Sequence, residues 1–160
     1  MVTRVLLIAT PAPCSGLRSM MTNSSPAASP NERTIRGIYD GFASGNVPAV
    51  LAALDPGIVW NEAENYPYAD GNPYIGPDAV LKGVFARCGS EWDGFAVVVE
   101  QLIDAGDAVI ATGRHTGTYK ATGRAQRTQF VHIWRLRGGK AIAFQEYADT
   151  LHVARVIGKA

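Results

Sequence analysis

Residues 130–150, FVHIWRLRGGKAIAFQEYADT, read as two strands joined by a tight turn. Arg137-Gly138-Gly139 suits a three-residue hairpin loop, with Gly139 free to take the left-handed conformation of a bulge. On that register Leu136 pairs with Lys140, Trp134 with Ile142, His132 with Phe144 and Phe130 with Glu146. Side chains alternate faces along a strand, so Phe130, His132, Trp134, Ile142, Phe144 and Glu146 share one face. A bulky aromatic face with two titratable groups has the character of a ligand cavity rather than of a plain core.

Upstream of this hairpin the strand pattern continues as a meander. The segments 95–103, 108–119 and 125–136 alternate in the manner of strands, with turns at Asp104-Ala105-Gly106-Asp107 and Thr122-Gly123. The earlier half is helical. Ser29-Pro30-Asn31-Glu32 matches a capping box with proline in the first helical position, and Ile35, Ile38, Tyr39 and Phe42 follow at helical spacing. Asn46 caps a second helix bearing Val47, Val50, Leu51 and Leu54. Asp55-Pro56-Gly57 is a turn, 58–63 a strand and 64–73 a Pro-rich loop. Gly76-Pro77-Asp78 opens a third helix that ends near Gly89, and LHVARVI, 151–157, forms a short last one. Three helices followed by a run of antiparallel strands predict an α+β domain, with the helices packed on one sheet face.

Composition narrows the function. With 15 Lys and Arg against 14 Asp and Glu, nothing favours a polyanionic partner, and nucleic acid is not expected. The two cysteines argue against a disulfide framework or a thiolate metal site. His115, His132 and His152 lack HxH or HExxH spacing, so no metal is expected unless ligands converge in space. GRHTGTYKATGR, 113–124, has neither the dinucleotide nor the P-loop fingerprint, and no cofactor is expected; its glycines read as points of strand curvature. Residues 1–30 read as a flexible tail, with Met20 or Met21 as an alternative start, and 31–160 as one domain. The VLLIA run in that tail is too short to span a bilayer and lacks a good cleavage site, so no membrane association is expected and the expected location is the cytoplasm.

The words WNEAENYPYADGNPYIGPDAV, GRHTGTYKATG, HIWRLRGGK and FQEYADT resemble the SnoaL-like, ketosteroid-isomerase-related branch of the nuclear transport factor 2 superfamily, over roughly residues 31–158. The resemblance implies a cone-shaped curved sheet closed by helices around a pocket. It also implies a cofactor-independent acid/base enzyme of isomerase, cyclase or dehydratase type acting on a small, largely apolar molecule, or a non-catalytic binding or assembly domain of the same fold. Carried over by alignment, the isomerases' oxyanion tyrosine falls on Ile38, with Tyr39 one step off the face. Their catalytic aspartate falls on Asn61 and their protonated aspartic acid on His132. The polyketide cyclases' acid/base aspartate falls on Asp149.

The candidate catalytic residues are therefore His132, Asp149 and Glu146. Each has a structural reading too: a core histidine, a helix cap, and a buried ion pair between Glu146 and Arg114. The resemblance sets Arg114 on the cavity face with Ile110, Thr112 and Thr116, where it would neutralise Glu146 or clamp a substrate carboxylate. Phe130, Trp134 and Phe144 complete the expected lining. Asn61 and Trp60 are added from the first strand, with Glu62 facing inward only if that strand bulges, and Tyr74 stands beside the loop at the mouth. Val109, Ala111, Val131, Ile133, Ala141 and Ala143 are expected on the opposite face, an apolar surface that predicts a homodimer.

Overall fold

The structure is a computed structural model that describes residues 27–160, so the reading of the tail lies outside it up to residue 26. Helix α1, Pro30–Ala43, starts at the capping box: Ser29 accepts the N–H of Glu32 at 3.0 Å. It buries Ile35, Ile38 and Tyr39. Asn46 caps α2, Val47–Ala53, by accepting the N–H of Ala49. Strand β1, Leu54–Asn61, absorbs the Asp55-Pro56-Gly57 tripeptide as an irregularity in its pairing rather than as a turn. A 3-10 turn, Ala69–Gly71, leads to the two-residue edge strand β2, Tyr74–Ile75. The third helical stretch comes in three consecutive pieces: α3, Pro77–Val80, a π-helical Leu81–Phe85, and α4, Ala86–Glu91. Four long strands follow: β3, Trp92–Asp104, β4, Ala108–Tyr119, β5, Arg124–Arg137, and β6, Lys140–Ala148. Helix α5, Thr150–Ile157, ends the chain on a left-handed Gly158.

The six strands form one curved sheet in the order β2-β1-β6-β5-β4-β3. The meander β3 to β6 is antiparallel throughout, as expected, but β1 joins it parallel to β6. Two register shifts between β3 and β4 bend the sheet at its far edge, as bulges do.

The hairpin at the heart of the sequence reading closes more tightly than expected. Gly138 and Gly139 both have positive φ, 58° and 77°, and make a two-residue loop between paired Arg137 and Lys140. Two positive φ angles in succession are what the favoured hairpin turn requires. A shift between Arg135 and Leu136 then adds one residue on β6, so Trp134 pairs with Phe144, His132 with Glu146 and Phe130 with Ala148. The two changes together slip the register by two, which preserves every face assignment beyond the irregularity. Ile142 is the exception, because the irregularity puts Ala141 into the core in its place.

The expected outer face also changes. Val109, Ala111 and Ala141 are fully buried in the core. The face away from it keeps Val131, Ile133 and Ala143, joined by exposed Val59, Val98 and Tyr147.

Candidate active site

The concave face of the sheet and the helices enclose a cavity of about 710 Å³. Aromatic side chains line much of its wall. Trp60 on β1 lies opposite Phe144 on β6, and their rings stack at 3.8 Å. Trp134 meets Trp60 edge-on at 5.4 Å, and Phe85, from the π-helical turn, meets it at 5.5 Å. Cys88 of α4 adds a buried thiol to the lining.

At one end of this apolar space four titratable groups converge from four strand segments. His132 and Glu146 are a directly opposed pair on β5 and β6, with His132 Nε2 3.3 Å from Glu146 Oε1. His115 on β4 places its own Nε2 3.5 Å from the same oxygen. Glu62 follows the end of β1, and Trp60 Nε1–H donates to its Oε1 at 2.6 Å. The other Glu146 oxygen accepts the N–H of Ala63 at 3.4 Å. On the far side of His132, Tyr39 of α1 has its hydroxyl 2.8 Å from Nδ1 and accepts Trp134 Nε1–H at 2.8 Å.

No lysine or arginine is among the described residues that line the cavity. Burial therefore dominates the titration. It pushes the Glu146 carboxyl up to about 7, against the pull of hydrogen bonds from Glu62 and Ala63. Burial raises Glu62 well above the usual carboxylate range, and the neighbouring Glu146 charge raises it further. Burial and the neighbouring carboxyl both favour the protonated form at this pair of acids. Desolvation lowers His132 to about 3, and it lowers His115 as well, with a smaller push from His132. Both imidazoles are neutral at ordinary pH.

Several expected site residues lie elsewhere. Arg114 points to the other side of the sheet and pairs with Glu100 at 3.6 Å, so neither the ion pair with Glu146 nor the substrate clamp forms there. Ile110, Thr112 and Thr116 share that outer face, because β4 turns its odd-numbered residues inward. Asn61 pairs with Gln145 and faces away, while Trp60 and Glu62 face in by alternation, the irregularity of β1 lying earlier, between Leu54 and Val59. Tyr74 packs between Gly71 and Gly83 and gives its hydroxyl proton to Tyr68 O at 2.6 Å, away from the cavity. Phe130 is buried behind the site, stacked on His132 at 3.9 Å and on His115 at 4.7 Å. Asp149 is exposed and caps α5 by accepting the N–H of His152 at 3.0 Å.

Tyr39 and His115 were absent from the expected site, and the sequence held a signal for each. Tyr39 follows Ile35 by four residues and so shares its buried helical face. A two-residue turn at Thr122-Gly123 would set Gly113 opposite His132, which puts odd-numbered β4 residues, His115 included, on the cavity side.

His115, His132 and Glu146 bring three ligand atoms within 4.8 Å of one another, the convergence from separate strands that the sequence spacing could not reveal. As arranged, both Nε2 atoms approach a single carboxylate oxygen, His132 as a hydrogen-bond partner at 3.3 Å and His115 at 3.5 Å.

A six-stranded curved sheet with helices over its concave face and a pocket between them is the nuclear transport factor 2-like cone. The SnoaL-like domain model matches residues 35–144, and the chain belongs to that family. Among solved structures, a nuclear transport factor 2-like protein from Burkholderia thailandensis is 35% identical, with a TM-score of 0.76 over 81% of this chain and 98% of that one. A second, from Burkholderia pseudomallei, is 29% identical with a TM-score of 0.74, covering 81% and 98%. TerC, co-crystallised with polyporic acid, is 26% identical with a TM-score of 0.73, covering 81% and 99%. No curated protein matched the sequence.

Proposed function

We propose that the cavity is the active site of a cofactor-independent acid/base enzyme acting on a small, largely apolar organic molecule. The reaction is proton abstraction next to a carbonyl, leading to isomerisation, cyclisation or dehydration. The observation that carries this reading is the His132–Glu146 pair at the end of an aromatic cavity. A carboxylate of ordinary pKa is too weak a base for such a carbon acid. Burial without a compensating cation, which holds Glu146 near 7, supports its use as the base. The developing enolate oxygen then takes hydrogen bonds from neutral His132 Nε2–H and from Glu62, whose buried carboxyl favours its protonated form. The proton on Glu146 returns to the product at a second carbon or to a leaving hydroxyl. The SnoaL-like family includes polyketide cyclases and isomerases, and the relative co-crystallised with polyporic acid is in keeping with a small organic ligand.

Asp149, the other carboxylate expected to act, has little support as a base at the α5 cap. A non-catalytic binding or assembly domain is the competing reading, favoured by how little of Glu146 and His132 is exposed, 2% and 4%. The reading carries with it a cytoplasmic homodimer formed through the outer sheet face. No described helix is long and apolar enough to cross a membrane.

The test begins with a thermal-shift screen of small ketones, lactones and aromatic polyketides. A ligand at about one hundred times its dissociation constant stabilises by about 2.7 kcal/mol. For any compound that is turned over, Glu146→Gln should bind it and lose turnover by roughly a hundredfold or more. Tight binding with no conversion across the screen would favour the binding-domain reading instead.

A further inference from the structure

The hydrogen bonds around His132 determine where its proton sits. Trp134 Nε1–H can only donate, and at 2.8 Å it occupies a lone pair of the Tyr39 hydroxyl. Tyr39 has a single proton to give, and His132 Nδ1 lies 2.8 Å from its oxygen in a fully buried setting. If Tyr39 donates, Nδ1 is a bare acceptor and Nε2 carries the ring proton, pointing at Glu146 Oε1 at 3.3 Å. The other tautomer would leave the Tyr39 hydroxyl proton without this acceptor and turn an Nε2 lone pair toward the carboxylate oxygen. A buried donor left without an acceptor keeps its full desolvation penalty, so the first arrangement wins. The ring cannot escape by turning over. Phe130 stacks on it at 3.9 Å, only 17° from parallel, and Phe144 closes its edge at 4.9 Å.

We infer that Tyr39, with Trp134 behind it, is a positioning residue that locks His132 as the neutral tautomer protonated on Nε2. His132 then serves the cavity as a hydrogen-bond donor and never as its base, and the site is built for a ligand that presents an acceptor oxygen beside Glu146. This assignment rests on the reading of the cavity as an acid/base site for its consequence, although not for its test.

The test is a long-range nitrogen–proton spectrum of the imidazole rings in the uniformly ¹⁵N-labelled full chain at neutral pH. His132 is expected to give the pattern of a single tautomer with its proton on Nε2. In Tyr39→Phe, where Nδ1 loses its donor, the pattern should change to a mixture of tautomers, while a core packed by the same ring keeps the fold. A His132 proton on Nδ1 in the parent protein would overturn the inference, whether or not the variant folds. An unchanged single Nε2–H pattern in Tyr39→Phe would also overturn it, because Glu146 alone would then select the tautomer. An Nε2–H His132 in a protein that converts none of the screened compounds would uphold the positioning role and count against the enzymatic reading. An active enzyme with its His132 proton on Nδ1 would do the reverse.

Discussion

Gly113 lies directly opposite Phe130 across β4 and β5, and a Cβ on Gly113 would come within 2.8 Å of the Phe130 ring and 2.1 Å of Val98 O. The missing side chain is what lets the Phe130 ring lie flat against both site histidines. Gly113→Ala is expected to force the ring or the β3 backbone aside, at a cost of about 1–3 kcal/mol. Thermal unfolding should report it, and an unchanged melting temperature would show that the sheet yields freely at this point.

The two candidate bases separate cleanly. Asp149→Ala should lower stability by about 1 kcal/mol through loss of the α5 cap, and Asp149→Asn by less, with turnover retained in both. Glu146→Gln should do the opposite, keeping the fold and removing turnover. Paired melting and activity measurements on these variants check both halves.

Stability should depend on pH with two opposed signs. Glu146 holds its proton up to about 7 in the folded chain against an ordinary 4.5, so folding binds the proton more tightly and stability falls as pH rises through that range. His132 is depressed to about 3 from 6.5, so its contribution is present above the unfolded value and is lost as pH falls toward the folded one. Above about pH 6.5 the histidine effect is complete, and the remaining decline belongs to the buried carboxyls. Glu146→Gln should flatten that decline. If its melting temperature follows pH between about 4.5 and 7 just as the parent's does, Glu146 is not the group responsible.

Catalysis without a metal predicts that exhaustive chelation leaves turnover unchanged. Loss of activity in chelator, restored by a divalent ion in the parent but not in His115→Phe, would turn the His115–His132–Glu146 trio into a metal site and end the cofactor-independent reading.

The outer face carries Tyr147, 57% exposed, with Val59 and Val98 also open. Light scattering at micromolar concentration should give twice the 17.1 kDa chain mass, and Tyr147→Glu should halve it. A parent protein that runs as a monomer would refute the dimer.

Periodicity and turn chemistry alone determined the helix caps at Ser29 and Asn46, the four-strand meander and the inward face of Trp134, Phe144 and Glu146. These are local features, legible because a helix repeats every 3.6 residues and a strand every two. Even a register misjudged by two left His132 and Glu146 on the same side, since only an odd slip exchanges the faces. What the local pattern could not decide was how separate elements meet. The parallel docking of β1 beside β6 brings Glu62 toward Glu146, and the packing of α1 over the sheet carries Tyr39 onto His132, 93 residues away in sequence. Arg114 and His115 are neighbours in the chain and lie on opposite faces of the sheet, one with Glu100 and one with Glu146. That single step of alternation removes the cation that would have kept Glu146 acidic, and burial then raises it toward neutrality. A pKa depends on every charge within a few ångströms, and those neighbours are chosen by tertiary packing rather than by the chain.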